Sequence, residues 1–390
     1  MRSPGSPNQL IRPNPGIFLR IIPRPFCTLM ILVITMLQAP AQSILKPGFD
    51  IQEYLEMLRI TGKINDTLLS KEKTPAPLQY QLVYRSPEVG LLNQWDMWIR
   101  KDEKVAVISL RGTVGAAASW LENFYAAMVP ATGQLQLNDS TASFQYKLAE
   151  NPAATVHVGW LIGIAHMAPS IAEYIKTYRQ KGIKDFVIVG HSQGGALCFL
   201  LRSWLYYQAQ AGSLPNDIVY KTYCSAAPKP GNMQYVYDYD FITRVGWSYT
   251  VVNALDWVPE TPFSLQSLQD FNEANPFVNI GTGLKKLPFL ARLYLNHAFN
   301  SMSRSSRRSQ KRFQKYLGKT VFKQVKKFLP QLKEPVYAPG SNYMRAGSPI
   351  ILMPDELYRK QYPFDGKNIF IHHMPPVYYS LAQRLYGGSE

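Results

Sequence analysis

Gly190-His191-Ser192-Gln193-Gly194 has the spacing of a nucleophile carried on a tight turn. In such a G-x-S-x-G pentapeptide the flanking glycines remove side chains that would clash in a sharp strand-to-helix turn. The Ser hydroxyl is then presented at the edge of a sheet. Backbone N–H groups at the start of the following helix point at an incoming carbonyl oxygen. The pentapeptide alone also fits an ordinary glycine-rich turn. Its context decides: the apolar run Phe186-Val187-Ile188-Val189 precedes it, and a helical pattern from Gly194 to Tyr207 follows.

A Ser hydroxyl needs a base, and the base needs an orienting acid. With this type of elbow the chain order is Ser, acid, His. Of six histidines, His297, His372 and His373 follow Ser192. His297 sits in a helical, basic stretch and reads as a surface residue. His372 and His373 follow the apolar segment Asn368–Ile371, read as a late strand, and precede a helix opened by Pro375 and Pro376. A loop leaving a late strand is where the base belongs, so both are candidates, with His373 narrowly preferred because it lies in the loop just ahead of the helix opened by Pro375 or Pro376. Asp256, three residues past the apolar run Tyr249–Asn253, is the favoured acid. Asp238 and Asp240 lie in a tyrosine-rich, surface-like stretch, and Asp217 reads as turn chemistry.

The elements that would position these residues alternate. After a short acidic helix over Phe49–Leu58 come strands at Tyr80–Tyr84, Gln94–Arg100 and Val105–Leu110, the last two joined as a hairpin by Lys101–Lys104. A helix follows at Trp120–Met128, then one at Leu161–Gln180, the elbow strand and its helix. Strands at Ile218–Cys224 and Tyr249–Asn253 come next, with late strands at Pro349–Met353 and Asn368–Ile371. Short apolar runs between longer helical stretches indicate an α/β protein with a buried, mostly parallel central sheet flanked by helices. Residues 263–335 break the rhythm and read as an insertion. The expected division is therefore a catalytic domain of residues 42–262 and 336–390 carrying a basic helical cap of residues 263–335.

Five blocks in order resemble the class 3 lipases, the family of the fungal triacylglycerol lipases. They are Val107–Thr113 (strand, Arg-Gly-Thr turn), Val156–Trp160 (His-x-Gly-aromatic), Gly190–Gly195, Thr222–Asn232 (strand, Pro-x-x-Gly-Asn turn) and Val252–Pro259 (Asp-x-Val-Pro). The resemblance covers roughly residues 80–262 and 340–385. It implies an α/β-hydrolase fold and cleavage of carboxylic esters through an acyl-enzyme, with no metal or organic cofactor. It further implies Ser192, Asp256 and a late His as the triad. Thr113 and the backbone N–H of Gln193 would be the oxyanion donors. The family's Tyr five residues after its His points to His373, through Tyr378. Its Met two residues after points to His372, through Met374. Departures are Leu110 in place of the usual Phe, Gln193 in place of Leu, the doubled His and the insertion. Competing readings are an esterase for small or aromatic esters, and a non-catalytic lipid- or polysaccharide-binding protein on a hydrolase fold.

The 390 residues are 46% hydrophobic and carry a formal charge of +16 from 42 basic and 26 acidic residues. Such an excess implies an anionic partner and says nothing of fold. Nucleic acid is set aside, because no zinc-ligand spacing, RNP-like strand or P-loop occurs. From Lys285 to Lys333 there are 14 Lys and Arg and no acid. Phe313, Tyr316, Leu317, Val321, Phe322, Val325, Phe328 and Leu329 recur there near helical spacing. That pattern fits an anionic lipid surface, or equally a solvated face on a helical cap.

At the N-terminus, four Arg precede the apolar run Phe26–Leu37, and Ala39-Pro40-Ala41 offers a small-x-small cleavage pattern. Residues 1–41 therefore read as a secretory signal peptide, with export to the outside, the periplasm or the cell envelope. An uncleaved anchor and a misassigned start are the alternatives. Cys198 and Cys224 remain and read as buried free thiols, although export would permit a disulfide.

Overall fold

The computed structural model describes residues 43–65, 73–139, 143–272, 274–275, 284–285 and 287–387. The signal-peptide reading over residues 1–41 lies outside them. In chain order the elements are α1 (Ile51–Ile64), β1 (Tyr80–Arg85), β2 (Trp95–Arg100), β3 (Val105–Leu110), α2 (Ala117–Phe124), β4 (Met128–Pro130), β5 (Thr132–Leu135), β6 (Phe144–Lys147), β7 (Thr155–His157), α3 (Val158–Gln180), β8 (Asp185–His191), α4 (Gln193–Gln210), β9 (Val219–Ser225), α5 (Met233–Ile242) and β10 (Ser248–Asn253). Then come α6 (Phe289–Gln314), a wide π-type turn over Lys315–Thr320, α7 (Val321–Val325), β11 (Ser348–Leu352), α8 (Glu356–Gln361) and α9 (Pro375–Tyr386).

Seven strands form the central sheet in the order β1-β2-β3-β8-β9-β10-β11. The pairs β1–β2 and β2–β3 are antiparallel, and β3, β8, β9, β10 and β11 run parallel. Both faces of β3, β8 and β10 are covered, which explains why β8 reads as an unbroken apolar run, whereas β11 at the edge is mostly exposed. Its side chains alternate between two cores. Phe186 and Ile188 pack on the side of α3 and α4, while Val187 and Val189 pack on the side of α1 and α9. Ala106 and Ile108 against Val105 and Val107 repeat the pattern on β3. This is an α/β-hydrolase architecture, as the family resemblance implied; the alternation of elements anticipated its parallel sheet and flanking helices.

Three expectations are corrected. Asn368–Ile371 is a run of turns and not a strand. The Asp365 carboxylate accepts from the N–H groups of Lys367 and Asn368, the Asn368 side chain accepts from Phe370 N, and these local bonds outcompete a ladder. The helix expected over Trp120–Met128 ends at Phe124, because Met128–Pro130 leaves it to pair with β7. The tyrosine-rich stretch read as surface is α5, whose Tyr235 and Tyr239 are fully buried. Asp238 accepts from Tyr207 Oη and Glu150 N, so it too is engaged.

Among the described residues of 263–335, two groups pack in opposite ways. Phe322, Val325 and Leu332 enter the main core, and Phe313 is buried beside Tyr343. Earlier in α6, Phe289, Leu290, Leu293 and Tyr294 are exposed. Cys198 and Cys224 are buried and not disulfide-bonded.

Candidate functional site

Ser192 sits between β8 and α4 with φ 60° and ψ −129°, a conformation that side chains other than Gly rarely adopt. Its neighbours explain how the turn closes. A methyl group on Gly190 would stand 2.3 Å from the Gly194 carbonyl carbon, and one on Gly194 would stand 2.2 Å from the Leu110 carbonyl oxygen. Both contacts are impossible, so the two glycines let the start of α4 pack against the ends of β8 and β3. The N–H groups of the first turn of α4, led by that of Gln193, have no partner within the helix.

His373 is delivered by the turns that replace the expected strand. Its N–H donates to Phe370 O, and Pro375 then opens α9. Its Nε2 lies 2.8 Å from Ser192 Oγ and its Nδ1 2.7 Å from Asp256 Oδ2. Asp256 follows β10 and is buried. Its Oδ1 accepts from Val258 N at 3.0 Å, and its Oδ2 also accepts from Tyr378 Oη at 2.7 Å. The structure therefore brings Ser192, His373 and Asp256 into one hydrogen-bonded line. It places His372 elsewhere, with Nδ1 3.0 Å from Tyr358 Oη. His297 lies exposed on α6.

Thr113 and Gln193 meet beside Ser192. Thr113 Oγ donates to Gln193 Oε1 at 2.7 Å and accepts from Asn123 Nδ2 at 2.8 Å. Asn123 is itself held by Trp160 Nε1 and by His157, whose Nε2 meets its carbonyl oxygen. His157 stacks on Trp160 at 3.6 Å, and burial lowers its pKa to about 3, so it is a neutral brace. Arg111, the residue before this turn, pairs with Glu88 and donates to Gln94 and Leu92, which is a structural role.

Several polar residues here carried no recognisable signal in the sequence. Glu122 is fully buried, and its carboxyl takes hydrogen bonds from Asn93 Nδ2 and from Gln193. Burial raises its pKa to about 8, so it holds a proton at neutral pH. Gly159 and Gly163, one helical turn apart on α3, make the room: Cβ atoms there would strike the Glu122 carbonyl oxygen and Oε1. His191 is also buried. Its Nε2 donates to His373 O at 2.5 Å, and its Nδ1 faces Ser225 Oγ, which meets Tyr54 Oη at 2.8 Å. Burial, then the neighbouring His373, keep His191 neutral, which suits one donor and one acceptor nitrogen.

Ser192, His373, Thr113 and Gln193 all line one cavity of about 270 Å³. Its walls are apolar, with Trp120, Phe124, Trp257, Phe263 and Phe370 among them. Leu317 adds a wall from the insertion, where Ala127 N–H donates to Leu317 O across the wide turn. Among the described residues no cluster of His, Cys, Asp or Glu has the arrangement to hold a metal ion.

Residues 107–266 match the family model described as lipase (class 3). Among solved structures, the chain is similar to a Rhizomucor miehei lipase in complex with its propeptide, at 16% identity over 56% of this chain and 65% of that one, TM-score 0.39. A triacylglycerol lipase from Penicillium expansum is similar at 14% identity over 54% of this chain and 72% of that one, TM-score 0.38. A lipase of Yarrowia lipolytica is similar at 15% over 56% and 76%, TM-score 0.38. No curated protein matches the chain. The chain thus spans just under two thirds of the Rhizomucor miehei protein.

Proposed function

We propose that this chain, which through residues 107–266 belongs to the class 3 lipase family, hydrolyses carboxylic esters of lipids by an acyl-enzyme route. Ser192 Oγ attacks the ester carbonyl carbon while His373 Nε2 takes its proton. Asp256 holds His373 with Nδ1–H donated and Nε2 free to accept. Charge that develops on the carbonyl oxygen is met by the backbone N–H of Gln193 and by Thr113. The protonated His373 then gives its proton to the leaving alkoxide. Water, deprotonated by His373, releases the acid and restores Ser192. No step calls for a metal or organic cofactor.

The observation that carries this reading is the continuous path from Ser192 through His373 to Asp256, opening into an apolar cavity. An apolar wall on this scale favours an acyl chain over a small polar acid. The test compares hydrolysis of emulsified long-chain triacylglycerol with that of a soluble short-chain ester. Faster turnover of the emulsion supports the lipase reading, and turnover of the soluble ester alone points to an esterase. With neither hydrolysed by folded protein, the non-catalytic binding reading would take its place.

Residues 1–41 are proposed to direct export, on the strength of the Arg-flanked apolar run and the Ala-x-Ala pattern. Residues 263–335 are proposed to act as a cap on the catalytic domain, supported by Leu317 in the cavity wall. An anionic membrane is the proposed surface partner. Its support lies in the first half of α6, where exposed Phe289, Leu290, Leu293 and Tyr294 stand beside Arg292 in a segment without acids. The apolar residues 313–325 contribute less to such a surface, since Phe313, Phe322 and Val325 are buried.

A further inference from the structure

Trp257 lines two depressions. One is the Ser192 cavity; the other is a groove of about 440 Å³ on its far side, also lined by Leu255, Phe364, Ile369, Arg359 and His372. We infer that this second groove binds a long-chain carboxylate, its head held by Arg359 and His372 and its chain laid along Leu255, Phe364 and Ile369.

The ring of His372 is set by buried neighbours. Asn253 Nδ2 donates to Tyr358 Oη at 2.7 Å and to His372 O at 3.0 Å, and both Asn253 and Tyr358 are fully buried. Tyr358, whose oxygen accepts from Asn253, is placed to give its proton to His372 Nδ1 at 3.0 Å. In that arrangement the neutral ring carries its proton on Nε2, which makes His372 an N–H donor. Burial, the largest effect, lowers its pKa; Asp256 opposes that and Arg359 adds to it, and the net shift is downward, so the ring stays neutral at neutral pH.

Arg359 supplies the charge. Among the described residues it forms no ion pair, although acids are close in sequence. Asp355 is taken by Arg384 and by Tyr358 N, and Asp365 by two backbone N–H groups. Asp256, which faces His372 from behind, already accepts from His373 and Tyr378. An unpaired, exposed cation beside a neutral donor matches a monoanionic carboxylate. The walls account for the tail: Phe364 and Ile369 are 59% and 54% exposed, a large apolar cost unless covered.

The groove is separate from Ser192, so the inference stands or falls apart from ester hydrolysis. The full chain is first treated with a phosphonate that fills the Ser192 cavity, then titrated calorimetrically with decanoate, decanol, decyl phosphate and acetate. Failure to label speaks against the hydrolase reading alone, and the titration still reads the groove. The inference expects decanoate to bind most tightly and acetate not measurably. It expects Arg359→Gln to weaken decanoate about tenfold or more while leaving decanol unchanged, and His372→Gln to weaken it less. Equal binding of decanoate by the wild type and Arg359→Gln, or tighter binding of decanol or decyl phosphate than of decanoate, would overturn it.

Discussion

Asp256→Asn is the most informative single-atom change at the site. The carboxylate now has two distinct edges: Oδ1 accepts from Val258 N at 3.0 Å, and Oδ2 accepts from His373 Nδ1 at 2.7 Å and from Tyr378 Oη at 2.7 Å. An amide that keeps its oxygen on Val258 must turn its NH2 toward His373. Nδ1 would then have to accept, the ring proton would move to Nε2, and Ser192 would lose its base. The flipped amide restores an acceptor for His373 but sets NH2 against the Val258 N–H, at a cost of about 1–3 kcal/mol for the lost buried bond. It still lacks the negative charge that stabilises the imidazolium. A comparable Asp→Asn change in a serine protease costs ~10⁴ in kcat through the wrong tautomer. A loss of ~10³–10⁴ is expected here, about 4–5.5 kcal/mol of barrier. The assay is kcat on a soluble short-chain ester, beside a thermal melt showing that the variant is folded. A folded variant that loses less than about tenfold would refute the tautomer argument.

Further outcomes follow from the same geometry. His373→Ala should lose activity by several orders of magnitude, while His372→Ala should lose less than about tenfold on the soluble ester; the reverse ranking would move the base to His372. Glu122, with its folded pKa raised from 4.5 to about 8, contributes stability that is full below 4.5 and lost as pH rises toward 8. Glu122→Gln should therefore remove a slope of up to ~1.4 kcal/mol per pH unit across that window, read by urea unfolding at pH 5 and 7.5. Changing Arg292, Arg304, Arg307 and Arg308 to Gln should weaken co-sedimentation with anionic vesicles, since each such charge near the surface contributes about 1 kcal/mol. High salt should do the same. Equal binding to zwitterionic vesicles would mean that the basic face of α6 is merely solvated.

What the sequence made legible was local. The elbow announces itself because strand, glycines and helix are contiguous, and Asp256 because it trails an apolar strand by three residues. Family spacing divides between His373, through Tyr378, and His372, through Met374, so only the place of His373 just ahead of the Pro375 helix added weight to it; two adjacent side chains on a turn point apart in a way no periodicity encodes. The false strand at Asn368–Ile371 shows the same limit from the other side: β-branched and aromatic residues read as a strand while Asp365 and Asn368 were closing turns. Glu122 and His191 were illegible, because their roles depend on partners far along the chain. Glu122 meets Asn93 and Gln193, and His191 meets Ser225 and the His373 carbonyl. A signal for the room around Glu122 does exist in Gly159 and Gly163, four apart on one helix, which mark a side where something must approach closely. The helical spacing expected in the insertion holds from Phe313 to Val325, while Phe328 and Leu329 lie past the helix end, and spacing cannot say whether that face meets lipid or core. Phe322 and Val325 meet core.

The most direct measurement is covalent labelling with a fluorophosphonate, followed by mass analysis of the modified peptide. The account predicts one adduct per chain, on Ser192, formed in step with the loss of ester hydrolysis, and neither labelling nor turnover in a folded Ser192→Ala variant. Hydrolysis that persists in Ser192→Ala near the wild-type rate, or an adduct on another residue that tracks the loss of activity, would contradict it.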